Sequence, residues 1–119
     1  TAHVAPPGSG PVDVVLGDRY GSSCAEDITE IVENNLRRHG LRVLRNKPYA
    51  GGFITQNHGA PQRGQHALQI EINRSLYMNE ANLEKTSNLQ YVKDVISDLN
   101  RELLGHLEAR MSQPQLAAE

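Results

Sequence analysis

In the segment HALQIEINR, apolar and polar residues alternate, so Leu68, Ile70 and Ile72 fall on one face of a strand and Gln69, Glu71 and Asn73 on the other. Upstream, Val12 to Leu16 is a short apolar run suited to a buried strand, closed by Gly17. Ser23 with Glu26 three residues later has the spacing of a capping box. Ile28, Ile31, Val32 and Leu36 then form one stripe of a helix of about four turns that ends at Gly40. Leu41 to Arg45 predicts a second strand, so strand, helix and strand form a βαβ unit with a right-handed crossover and parallel pairing. Asn46 to Gly52 is turn chemistry, and Phe53 to Gly64 breaks into Gly, Pro, Asn and Gln, which predicts a long irregular loop of functional character.

After the Glu71 strand a second irregular segment runs to Thr86. Ser87 with Gln90 then repeats the capping-box spacing ahead of Val92, Val95, Ile96, Leu99, Leu103 and Leu107, the stripe of the longest helix, which ends near Arg110. The ends differ from the middle: Thr1 to Pro11 is rich in Pro and Gly and predicts a loop, and residues 112–119 predict a frayed tail. No internal repeat or low-complexity tract interrupts the pattern.

Composition narrows the function classes. A chain of 119 residues forms one domain, and with aromatics at 4% its core is aliphatic. A net charge of −2 with scattered Lys and Arg gives no basic field for nucleic acid. No apolar run spans a bilayer and no signal-peptide pattern stands at the N-terminus, which predicts a soluble, cytoplasmic protein with no membrane partner. Cys24 is the single cysteine, so it makes no internal disulfide, and its place at a helix start predicts a small hydrophobe rather than a nucleophile.

Two constellations can carry chemistry. In GDRYGSS a strand turns through Gly17 and Gly21 into a helix, where backbone N–H groups favour an anion and Arg19 adds a charged fork for a carboxylate. The alternative is a tight turn with Arg19 in a structural ion pair. Glu71, flanked by two amides on its strand face, is a candidate general base, or an ordinary polar residue on a wet edge. Beside it stand Arg74 and Tyr77, a cation and a hydroxyl of the kind that hold a substrate carboxylate. The five histidines show no helical zinc spacing. His39, at the helix C-terminus, and His106, assigned to the exposed side of the last helix, are read as structural, whereas His58 and His66 stay open.

Together, DVVLGDRYGSSC, NKPYAGGFITQNHGAPQRGQHALQIEINRSLYM and the His-Val-Ala-Pro beginning at His3 resemble the C-terminal half of the N-formylglutamate amidohydrolase family, in the same order and up to about Leu99. The resemblance implies an α/β fold, a mixed, partly parallel sheet flanked by helices within an α/β/α sandwich like that of zinc carboxypeptidases. It also implies hydrolysis of N-formyl-L-glutamate to formate and L-glutamate in histidine degradation, with zinc as cofactor. By the same resemblance His3 matches one metal ligand and Glu71 the carboxylate that activates the metal-bound water. Arg19, Arg74 and Tyr77 are assigned to the carboxylates of a small anionic N-acyl amino acid substrate by their chemistry and position.

The family's His-Ser-Gly segment, which carries two further ligands, is absent from this sequence, and the usual His-Ser-Met-Pro is His-Val-Ala-Pro. Residues 12–111 are therefore expected to be the C-terminal part of an amidohydrolase domain and residues 1–11 a loop bearing the candidate metal ligand. The chain is expected to be a fragment, with the missing N-terminal half or a second copy as its protein partner. The competing expectation is a non-catalytic α/β module that binds a small carboxylate or a partner protein.

Overall fold

A computed structural model describes residues 12–112. Strand β1, Val14–Gly17, is buried along its whole length, as its unbroken apolar run requires. The helix α1, Glu26–Arg38, follows, and β2, Val43–Arg45, returns parallel to β1 with Val14 opposite Val43. The βαβ unit expected from the sequence is thus present. β3, Gln69–Ile72, lies antiparallel on the other side of β1, which makes a mixed three-stranded sheet of order β2-β1-β3. The fold is α/β, with helices flanking a partly parallel sheet.

The face of β1 carrying Val14 and Leu16 holds the core, which gathers Val32 and Leu36 from α1, Val43 from β2, and Val95 and Leu99 from the long helix. That helix, named α3 below, spans Asn88–Ser112 and runs alongside α1. Polar groups fix the helix pair. The buried Asn35 amide donates to Glu102 at 2.7 Å and Asp98 at 3.2 Å, and the Asp27 carboxylate takes His106 at 3.1 Å and Arg110 at 3.0 Å. His106 therefore faces α1 rather than the exposed side expected from the sequence. Burial works against ionisation of Asp27, but the His106 hydrogen bond and the Arg110 charge hold its carboxyl below the usual range. On the far side of α1, Arg45 of β2 bridges Glu26 at 2.6 Å and Glu33 at 2.8 Å.

The ends of α1 obey different rules. At its C-terminus Gly40 takes φ +84, its N–H bonding the Arg37 carbonyl while the Leu41 N–H bonds that of Leu36, the Schellman pattern. At its N-terminus the expected Ser23 capping box does not form. Ala25 is the cap residue, without a side-chain bond, and the Ser23 hydroxyl is buried against Gly59 with no partner among the described residues. Close packing of Gly59 on Ser23, where an added Cβ would come within 2.5 Å, holds Ser23 ahead of the helix.

The two segments expected to be irregular contain short elements. Phe53–His58 is a six-residue helix, α2, and Pro61–Arg63 a 3-10 turn. After β3, a 3-10 turn at Arg74–Leu76 leads into a small hairpin of β4, Met78–Asn79, and β5, Glu84–Lys85. At the start of α3 the Thr86 hydroxyl, one residue before the expected Ser87, accepts the Asn88 N–H at 3.3 Å. No helix among the described residues is long and apolar enough to cross a membrane.

Candidate active site on the Glu71 face of the sheet

Antiparallel pairing puts Glu71 opposite Val15 and Gln69 opposite Gly17. Because neighbouring side chains alternate between faces, Glu71 and Gln69 point away from the face that carries α1 and α3. Glu71 is half-buried there and accepts a hydrogen bond from the Gln69 amide at 3.1 Å. Its other amide neighbour, Asn73, is committed elsewhere, donating to the Val12 carbonyl at 3.2 Å and accepting from the Ser75 N–H at 3.0 Å. One amide therefore orients the carboxylate, and the other closes the turn after β3.

A glycine-lined strap approaches the same face. Gly17 allows it: a Cβ there would lie 2.7 Å from the Ala50 carbonyl carbon and 2.8 Å from the Gly51 nitrogen. The strap is tied down where the Arg19 N–H donates to the Ala50 carbonyl at 2.8 Å. Gly51, at φ +126, lies against Thr55 of α2 and the Arg19 side chain, and Gly52 lies near the Gln69 amide oxygen. Arg19 is half-buried, and its guanidinium makes no ion pair with any described residue. Of the two alternatives for GDRYGSS, the structural ion pair does not form among these residues.

Arg74 and Tyr77 are placed differently. The pairing sets Arg19 beyond the Gly17–Gln69 end of the strand pair and Arg74 beyond the Val14–Ile72 end. Those ends are three residue steps, about 10 Å, apart before either turn is added. Arg74 is exposed on a turn that packs against α3, and Tyr77 is half-buried at the end of that turn. The structure thus puts Gln69 and Glu71 on one face, with the strap and the Arg19 side chain that lies against Gly51 at the Gly17 end, and Arg74 and Tyr77 on the turn that leaves the opposite end.

His3 lies outside the described residues. Among those described, no three His, Cys, Asp or Glu side chains converge on a point where they could hold a metal. His66 turns out to hold the backbone: its Nδ1 accepts the Ala25 N–H at 3.1 Å at the start of α1, which leaves the proton of the neutral ring on Nε2. His39 Nδ1 is 2.9 Å from the Asn35 carbonyl. Cys24 is buried, and burial pushes its thiol up, with a hydrogen bond to Thr29 opposing. An apolar groove of about 140 Å³ between β3 and α3, lined by Ile70, Ile72 and Ile96, lies on the core face, away from Glu71.

Sequence reasoning missed Asn46. This buried residue, at φ +63, accepts the Asp18 N–H at 3.1 Å and the Tyr20 N–H at 3.3 Å, and donates to the Asp18 carboxylate at 2.9 Å. Its only signal in the sequence is an Asn in turn chemistry, the residue type that tolerates a left-handed backbone.

Comparison with known proteins bears on the family and the fold. A family model described as N-formylglutamate amidohydrolase matches residues 1–78. N-formylglutamate deformylase of Pseudomonas aeruginosa is 32% identical over 69 residues, and that of Pseudomonas putida 33% over 69 residues; each match covers 57% of this chain and 26% of the relative. The crystal structure of N-formylglutamate amidohydrolase from Ralstonia eutropha JMP134 superposes with a TM-score of 0.82 at 33% identity, covering 89% of this chain and 38% of that one. The chain spans about a quarter of the length of the curated relatives it matches.

Proposed function

The chain belongs to the N-formylglutamate amidohydrolase family, and from that membership we propose that it supplies the general base and a carboxylate-binding arginine for hydrolysis of N-formyl-L-glutamate to formate and L-glutamate. The observation that carries this reading is the half-buried Glu71 carboxylate, held by Gln69 on the sheet face that the Gly51 strap approaches, with the Arg19 side chain against that strap. In the proposed reaction Glu71 takes a proton from the attacking water as its oxygen bonds to the formyl carbon. The C–N bond then breaks, and the carboxyl returns the proton to the departing amine nitrogen. The Arg19 guanidinium receives one substrate carboxylate through two N–H donors.

Zinc dependence is part of the proposal and comes from the family resemblance. The described residues do not fit a zinc site by themselves, and the one expected ligand in this sequence, His3, lies outside them. Proton transfer by Glu71 and carboxylate capture by Arg19 are the steps this chain's own described residues supply. Membership of a cytoplasmic histidine-degrading route is proposed on the same resemblance.

The test is formate release from N-formylglutamate by the complete gene product, with and without added zinc, and by its Glu71→Gln variant. Loss of the base lowers kcat by about a hundredfold or more. Equal rates in the two proteins would remove Glu71 from the chemistry. Arg19, without an ion-pair partner among the described residues, also suits a module that binds a small carboxylate without turning it over. Glutarate binding in the absence of any formate release would favour that second reading.

A further inference from the structure

We infer that Asn46 is a positioning residue for substrate recognition: by locking the Asp18–Gly21 turn it sets Arg19 beside the Glu71 face to receive a carboxylate. The inference rests on the proposed role of Arg19, whereas the lock itself is a set of hydrogen bonds in the structure.

Strand β1 ends at Gly17, and the next residues leave the strand in a conformation that L side chains resist. Arg19 takes φ +52 and Tyr20 φ +56, consecutive left-handed residues neither of which is Gly or Asn. Left-handed backbone is unfavourable for residues with a Cβ, so such a pair persists only where its surroundings over-determine it. Asn46 does most of this. Its Oδ1 accepts from the Asp18 and Tyr20 N–H groups on either side of Arg19, and its Nδ2 holds the Asp18 carboxylate, which in turn accepts the Gly21 N–H at 3.1 Å. The Tyr20 hydroxyl donates back to the Asn46 carbonyl at 3.4 Å, and the Asn46 N–H donates to Leu16 at 2.7 Å. The turn and the residue after β2 are thereby joined by side-chain and main-chain bonds across 28 positions of sequence.

Asp18 and Asn46 are buried, whereas Arg19 emerges between them and Gly51, where an added Cβ would come within 3.0 Å of its side chain. A strained turn braced from below, ending in a cation without a described partner, suits a fixed carboxylate receptor better than a connecting loop. The ligand class it selects is a dicarboxylate, whose second carboxylate Arg19 takes while Glu71 works on the other end.

Asn46→Gly tests this, because glycine keeps the left-handed backbone and removes only the side-chain bonds. In the complete enzyme the variant raises KM for N-formylglutamate about tenfold with kcat changed by less than about twofold, and leaves KM for N-formylglutamine nearly unmoved. An equal change for both substrates, or no change in KM, overturns the inference. If the wild-type enzyme releases no formate, the proposed function fails, and the positioning role is decided separately by titrating glutarate while following the Arg19 Nε–H resonance. Weaker binding in Asn46→Gly than in wild type supports the role; equal affinity, or a wild-type resonance that does not move, overturns it. Should the variant not fold, amide exchange in the wild type decides: protected Asp18 and Tyr20 N–H groups with an Arg19 resonance that shifts support the lock, and unprotected amides overturn it.

Discussion

Gly17 has space for a hydrogen and nothing larger, since the nearest obstacles to a Cβ are backbone atoms of Ala50 and Gly51 that no rotamer change can move. Gly17→Ala is therefore expected to cost about 1–3 kcal/mol, as overpacking does, and to lift the strap off the sheet. Urea unfolding would show a lower midpoint at unchanged slope. At this scale the sequence was legible where one residue's role follows from its neighbours. The face that Glu71 occupies is legible because strand alternation assigns it, and the burial of Cys24 is legible because it stands alone at a helix start. Asn46 was not found, because its function is a set of bonds to residues 26 and 28 positions away that no local pattern encodes. The left-handed Arg19 and Tyr20 were illegible for the same reason: tertiary bonds impose what local preference resists.

At the scale of the element, α1 shows which signals carry structure. Gly40 was readable as a C-terminal stop because the motif needs a left-handed residue and glycine provides it without strain. Gly40→Ala, with open space around the new Cβ but φ +84 to maintain, should cost about 1 kcal/mol. Ser23 misled, because the capping spacing is satisfied while packing against Gly59 holds the hydroxyl away from the helix. α2 was hidden because six residues with one buried side chain leave too little periodicity to detect.

The tie between α1 and β2 makes a pH prediction. Burial raises the Glu33 pKa, but hydrogen bonds from Arg37 and Arg45 prevail and hold the carboxyl below its ordinary value of 4.5. A carboxylate whose pKa is depressed on folding contributes stability that is complete above the unfolded value and is lost as pH falls through the folded one. Glu33→Gln should therefore be less stable than wild type by about 1 kcal/mol at neutral pH, and the gap should close as the pH drops below 4.5. Urea unfolding of both proteins across that range checks the sign.

At the scale of the whole molecule, the two faces of one sheet have separate tasks. β1 sends Val14 and Leu16 into the core beneath α1 and α3, and leaves Val15 and Gly17 on the face where Gln69, Glu71 and the strap meet. The parallel pairing of β1 with β2 was legible in the sequence because a strand, a helix and a strand admit one handed crossover. The antiparallel place of β3 beside β1 was not, because strand order is a long-range choice. This division predicts how substitutions separate. Leu99→Ala, in the core face, should lower stability by about 2–5 kcal/mol and leave KM for N-formylglutamate close to wild type under conditions where the protein remains folded. Arg19→Ala should do the reverse, raising KM about tenfold or more with stability little changed, since its guanidinium has no described ion-pair partner to lose. Arg74→Ala, on a turn packed against α3 at the other end of the strand pair, should raise KM less than Arg19→Ala does. Steady-state kinetics and urea melts on the three variants measure both quantities, and an Arg74 effect equal to that of Arg19 would place the substrate across both ends of β3 instead of at the strap.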